Sequence, residues 1–158
     1  MHYLSRTNKF FILVYLLSLC ACSSHKVEKW PEPIIVQATG NDYKWNFIYA
    51  GADAKLGTPD DINTGQNFSL PSKTKAILKI KSSDYIYTFG LPDFSAKEIA
   101  VPGLEHQIEL TTERKGTFDL KGDQLCGYTH ESLLGELNVK SNSQFQKWIT
   151  SYPSKNNQ

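Results

Sequence analysis

An all-β sandwich closed by one short C-terminal helix is what this sequence predicts, on three observations. Short runs rich in β-branched and aromatic residues recur at roughly ten-residue spacing. Gly, Pro, Asn and Asp punctuate the gaps between them. Helical apolar spacing occurs after them, over residues 143–149, with Phe145, Trp148 and Ile149 on one face and Ser143 as the cap.

In chain order, the N-terminus reads as an export segment. Arg6 and Lys9 precede an apolar run from Phe10 to Leu19. That run is about half the ~20 residues of a membrane-spanning helix, which suits a signal-peptide core. It ends in Leu19-Cys20-Ala21-Cys22-Ser23, which resembles the lipobox of bacterial lipoproteins: an aliphatic residue three before the cysteine, a small one just before it, polar residues after. Cys22 is the lipidation position, because acylation at Cys20 would put bulky Leu19 at the cleavage junction. Residues 1–21 are thus expected to be a lipoprotein signal peptide and residues 22–33 a lipidated tether, stiffened by Pro31 and Pro33. A lipid attaches a domain to a membrane without spanning it. Ser23 after the anchor, rather than an acid, favours the outer membrane.

Ile34 to Thr39 is a β-rich run, and Tyr43 to Tyr49 alternates aromatic and other residues at period two. Tyr43, Trp45, Phe47 and Tyr49 read as a core stripe. Residues 51–63 form a Gly-, Asp- and Pro-rich loop; the spacing of Asp53, Asp60 and Asp61 does not match a calcium-binding loop, so it reads as a solvated turn. Further strands are expected over 67–70, 76–81, 84–91, 97–101, 106–112, 116–120 and 135–139, giving an antiparallel sandwich over residues 34–150 and a flexible tail over 151–158.

The sequence carries 17 basic against 16 acidic side chains, and loss of Arg6 and Lys9 with the export segment turns it slightly negative. No nucleic-acid partner is expected of such a balance. Three cysteines are present. With Cys20 removed and Cys22 acylated, Cys126 is a solitary thiol in an oxidising compartment, where burial or metal ligation would protect it. It stands in Cys126-Gly-Tyr-Thr-His130, a soft sulfur and an imidazole four residues apart on a Gly-punctuated loop between two strands. Copper suits that pair. The free-cysteine reading is a small buried apolar group. No Ser/His/Asp set, phosphate loop or carboxylate pair suggests an enzyme acting by itself.

From about Asn41 to Ile149 the chain resembles the periplasmic copper-A domain of cytochrome c oxidase subunit II, a Greek-key cupredoxin sandwich. The resemblance rests on the aromatic segment from Tyr43 to Tyr49, on Ser83 to Pro92 at the place of the first ligand strand, on Ile99-Ala-Val-Pro-Gly103 and on Cys126 to His130. It implies copper binding, electron transfer, and oxidase subunits or a cytochrome c as partners, in the bacterial envelope facing the periplasm. A lipoprotein signal stands where the family carries two transmembrane helices.

The ligand set implied by the family is two histidines, two bridging cysteines, a methionine and a carbonyl from an acidic residue. Cys126 and His130 match one of each of the first two kinds. Tyr87 takes the place of the other histidine, Gly122 of the other cysteine, Gln124 of the acidic residue and Leu133 of the methionine. Met1 is the sole methionine of the sequence. A binuclear centre cannot be assembled from this set. At most a mononuclear copper site is expected, on Cys126 and His130 with Tyr87 and Gln124 as possible supplements; His106 and His25 are expected elsewhere. The alternative is a metal-free envelope module for interaction or assembly, with Tyr87 and Leu133 filling a vacated metal cavity.

Overall fold

Alternation of buried and open positions along all strands but Phe68–Pro71 and Tyr87–Leu91, which are buried almost throughout, builds two five-stranded sheets packed face to face. The computed structural model describes residues 30–124 and 130–154, with Gln124 known by its backbone; the expectations placed on residues 1–29, including Cys22, on Cys126 and on residues 155–158 lie outside the described residues. The first sheet has the order β3-β2-β1-β5-β8, from β1 (Ile34–Asn41), β2 (Lys44–Tyr49), β3 (Ile62–Gly65), β5 (Thr74–Ser82) and β8 (His106–Thr112). The second has the order β4-β10-β9-β6-β7, from β4 (Phe68–Pro71), β6 (Tyr87–Leu91), β7 (Ala96–Ala100), β9 (Gly116–Gln124) and β10 (Gly135–Lys140). One α-helix, α1 (Asn142–Ile149), packs Phe145 and Ile149 into the core.

The core is continuous between the sheets. Ile34, Val36 and Ala38 of β1, Trp45, Phe47 and Tyr49 of β2 and Leu78 and Ile80 of β5 face Phe68, Leu70, Phe89, Phe118, Leu120, Leu137 and Val139 of the second sheet. Phe47 and Phe68 stack across the interface with centroids 4.5 Å apart and rings inclined by 5°. Tyr49 ties the sheets by hydrogen bonding: its hydroxyl donates to Ser69 O at 2.7 Å and accepts from Ser69 N–H at 3.0 Å, with the side chain fully buried.

Four local expectations change. The sandwich is mixed rather than antiparallel, because β1 runs parallel to β5 and β4 parallel to β10. Both parallel pairs join strands distant in sequence, as a crossover topology requires. The loop over 51–63 ends in β3, whose short pairing with β2 is interrupted by a register shift. In that loop Asp53 and Asp60 stay near solvent, but Asp61 is buried and accepts from Gly57 N–H at 2.8 Å; Thr58 Oγ1 donates to Asp60 at 2.6 Å. Ser141, not Ser143, caps the helix, in a capping box with Gln144. Residues 151–154 stay on the body, with Tyr152 against Trp148 and Ser154 bridging Ile62.

Replacing Tyr49 by Phe removes one oxygen and strands both polar groups of Ser69. The expected loss is about 1–3 kcal/mol, read by denaturant unfolding with an unchanged m-value.

Candidate functional site

The β1–β2 hairpin begins the construction of the site. Asp42 and Tyr43 both take positive φ, 48° and 58°, the conformation of a two-residue primed turn. That turn carries Tyr43 over the end of the sandwich at which β6 and β9 pair, with Tyr87 opposite Gln124. His130, just after the ligand-like loop, lies face to face with Tyr43 at 4.6 Å between centroids and 21° between planes. Tyr43 also stacks on Tyr85 at 5.3 Å and meets Tyr87 edge-on at 6.2 Å. The structure therefore brings Tyr87, the Gln124 backbone and His130 to one end, with the Tyr43 ring packed against both other side chains.

Tyr87 is fully buried, and the absence of a side chain on Gly40 makes its place: a Cβ there would collide with the ring. Its hydroxyl donates to Asp84 Oδ1 at 2.8 Å and accepts from Tyr43 N–H at 3.3 Å. Burial, with the Asp84 carboxylate beside it, pushes the phenol pKa up to about 12. Asp84 also accepts from Asp42 N–H and Tyr85 N–H, each at 2.7 Å. Burial opposes its charge, but these donors together outweigh burial and hold the carboxyl below its ordinary value. Sequence reasoning missed Asp84 and Gly40, and it put Tyr43 in the core stripe, whereas its half-buried ring stacks at the end of the sandwich. The Gly and Asp residues that flank the aromatic runs were the signal.

Gly122 sits where the chain closes most tightly. A Cβ there would stand 2.6 Å from the Leu133 carbonyl oxygen and 2.8 Å from Trp45 Nε1. Leu133 is fully buried on the 3-10 turn Glu131–Leu133. Among the described residues, the buried Trp45 indole N–H has no hydrogen-bond partner. His130 is exposed, with Nδ1 2.8 Å from Ser132 Oγ. His106 belongs to β8, its Nδ1 4.0 Å from Glu98.

A binuclear copper centre does not fit these residues. Tyr87 holds its proton and spends it on Asp84, Leu133 offers carbon, and position 122 has neither a side chain nor room for one. Among the described residues no group of three or more His, Cys, Asp or Glu gathers as a metal site.

Comparison with known proteins agrees with the architecture. The family described as cytochrome c oxidase subunit II, periplasmic domain, matches residues 34–139. A protein named probable quinol oxidase subunit 2 from Staphylococcus saprophyticus is 26% identical over 78% of this chain and 31% of its own length. One named alternative cytochrome c oxidase subunit 2 from Bradyrhizobium diazoefficiens is 27% identical over 72% of this chain and 49% of its own. The chain thus spans less than half the length of these relatives. The crystal structure of the periplasmic domain of subunit II of cytochrome oxidase from Bradyrhizobium japonicum superposes with a TM-score of 0.62 at 20% identity, covering 78% of this chain and 95% of that one. This likeness bears out the cupredoxin sandwich.

Two measurements check the site. Gly122→Ala is expected to lose about 1–3 kcal/mol by overpacking, and Gly122→Cys to lose as much without gaining a two-metal centre by metal analysis. In an alkaline titration followed at the tyrosinate absorption band, Tyr87 is expected to ionise only at about 12, above the ~10 of a free phenol. A phenol whose folded pKa is raised stabilises fully below ~10, and loses that contribution as pH rises through its folded value. Near-ultraviolet dichroism is expected to collapse in that window. Tyr87→Phe would remove the step.

Proposed function

Since the chain belongs to the cytochrome c oxidase subunit II family, through its periplasmic domain, we propose that it is a metal-free interaction module of the bacterial envelope. On this reading it has kept the sandwich that docks on oxidase subunits and lost the electron-relay centre, while a lipid on Cys22 holds it at the membrane. One observation carries the reading: the positions of three family ligands are filled or closed by Tyr87, Leu133 and the tight approach at Gly122. An aromatic ring stack around Tyr43 covers this end, so what the domain offers a partner there is shape and apolar area. The relatives named for quinol and for cytochrome c oxidases support an oxidase-type partner without choosing the electron donor. No catalytic activity of its own is part of the reading.

A second reading keeps one copper on Cys126 and His130. What favours it is that His130 is exposed and engages Ser132 through Nδ1, which leaves Nε2 as the ring nitrogen to offer a metal. Copper held there would supply one-electron chemistry; the chain would supply a thiolate, an imidazole and the Tyr43 ring stacked on that imidazole. Tyr87, with its proton held, would not join them.

Metal analysis of protein purified from the periplasm and loaded with copper under reducing conditions separates the readings. The expected outcome is a colourless protein with far less than one copper per chain, and capture of oxidase subunits unchanged in Cys126→Ser. Stoichiometric copper with visible thiolate absorption, lost in both Cys126→Ser and His130→Ala, would overturn the metal-free reading.

A further inference from the structure

At the end of the sandwich away from Tyr43 and His130, three lysines converge on one aromatic group. Lys115 precedes β9, Lys140 ends β10 and Lys147 lies on α1; with Val139, Gln144 and Trp148 they line one open groove. Lys140 Nζ stands 5.9 Å over the Trp148 ring, and Tyr152 packs edge-on against the same ring at 5.3 Å. No ion pair with a carboxylate engages any of the three lysines among the described residues. Positive charge gathered around a half-buried tryptophan and tyrosine is the composition of a surface that rests in the polar layer of a bilayer, with ammonium groups on lipid phosphates and rings at headgroup depth.

The route of the chain gives the occupant. Trp30, the first described residue, packs edge-on against Phe145 of α1 at 6.1 Å. It lies by the Asn142 and Gln146 flank of the helix, whereas the lysine groove lies by the Gln144 and Lys147 flank. Seven residues lie between Cys22 and Trp30, and the eight steps along the chain span ~29 Å at most. That tether itself carries Lys26 and Lys29. A chain anchored through Cys22 therefore holds α1 within reach of the lipid surface.

We propose that the groove of Lys115, Lys140, Lys147 and Trp148 docks on the anionic phospholipid surface to which the tether leads, fixing the orientation of the domain on the membrane. The proposal rests on acylation of Cys22. Each lysine lowered onto an anionic surface is expected to favour the docked state roughly fivefold, and the docking to fade as salt shortens the screening length.

The test uses the mature lipoprotein extracted from membranes and reconstituted in vesicles of phosphatidylethanolamine with or without phosphatidylglycerol. A water-soluble amine-acylating reagent is applied briefly, and each lysine is read by peptide mass mapping, with Lys44, Lys97 and Lys121, away from the groove, as internal controls. Labelling of Lys115, Lys140 and Lys147 is expected to be several-fold slower in phosphatidylglycerol vesicles than in neutral ones. The protection should vanish in 1 M salt and, for the remaining lysines, in Lys147→Glu. An acylated chain whose three lysines label at equal rates in both vesicles overturns the docking and leaves the anchor standing. A chain whose Cys22 carries no lipid in the intact mass overturns both.

Discussion

The carbonyl of Leu133 and the indole of Trp45 close over Gly122 and leave no volume for a side chain. Much of the site follows from that contact. The carbonyl belongs to the segment that leads from His130 into β10, so position 122 and the path of that segment are one constraint. A thiolate at 122 would need the Leu133 backbone to retreat. Leu133, fully buried on that backbone, would then lose its place in the core. Loss of the second bridging sulfur and loss of the thioether position are thus coupled through a single turn, and no one substitution undoes them. The Trp45 N–H, without a partner among the described residues, fits the same account, for a buried donor left unpaired costs free energy and here it stands where a side chain at position 122 would reach.

Asp84 does for the other half of the site what Leu133 does for this one. A single carboxylate takes N–H groups from the β1–β2 hairpin and from its own loop, and the proton of Tyr87 from the start of β6. Those donors keep it charged, and its charge in turn keeps the phenol protonated. A tyrosine so placed is a structural strut. In a metal site the same oxygen would need to shed its proton against burial and against a neighbouring anion.

Much of the fold was legible in the sequence, because period-two alternation along Tyr43–Tyr49 and the Gly-, Pro- and Asp-marked gaps are local signals. The parallel pairings of β1 with β5 and β4 with β10 were not, since nothing in a strand records which distant neighbour will flank it. β3 was hidden for a related reason: four residues, Ile62-Asn-Thr-Gly65, are too few to show a period. At the site, residue counting found the missing ligands, while Asp84 escaped because its partner Asp42 is 42 positions away. Ser143 stands just before the apolar face that begins at Phe145, but the reciprocal partner Gln144 makes Ser141 the cap.

The two ends of β1 set what each end of the molecule can meet. Ile34 lies by the helix and the outgoing tether, and Gly40 lies beneath the Tyr87 ring. At ~3.3 Å per residue the six steps from Ile34 to Gly40 hold the two regions about 20 Å apart. β9 and β10 repeat the separation, with Lys115 and Lys140 at one end and Gly122 and Gly135 at the other. If the lysine end rests on lipid, the Tyr43 and His130 end stands clear of the headgroups by about the length of the sandwich. A partner embedded in the bilayer then reaches this end only through a part that rises as far. Otherwise it grips the flanks, where the edge strands β3, β7 and β8 present a backbone edge with no further strand in their own sheet. Orientation on the membrane and choice of docking face are in this way a single question, decided by which end of β1 points down.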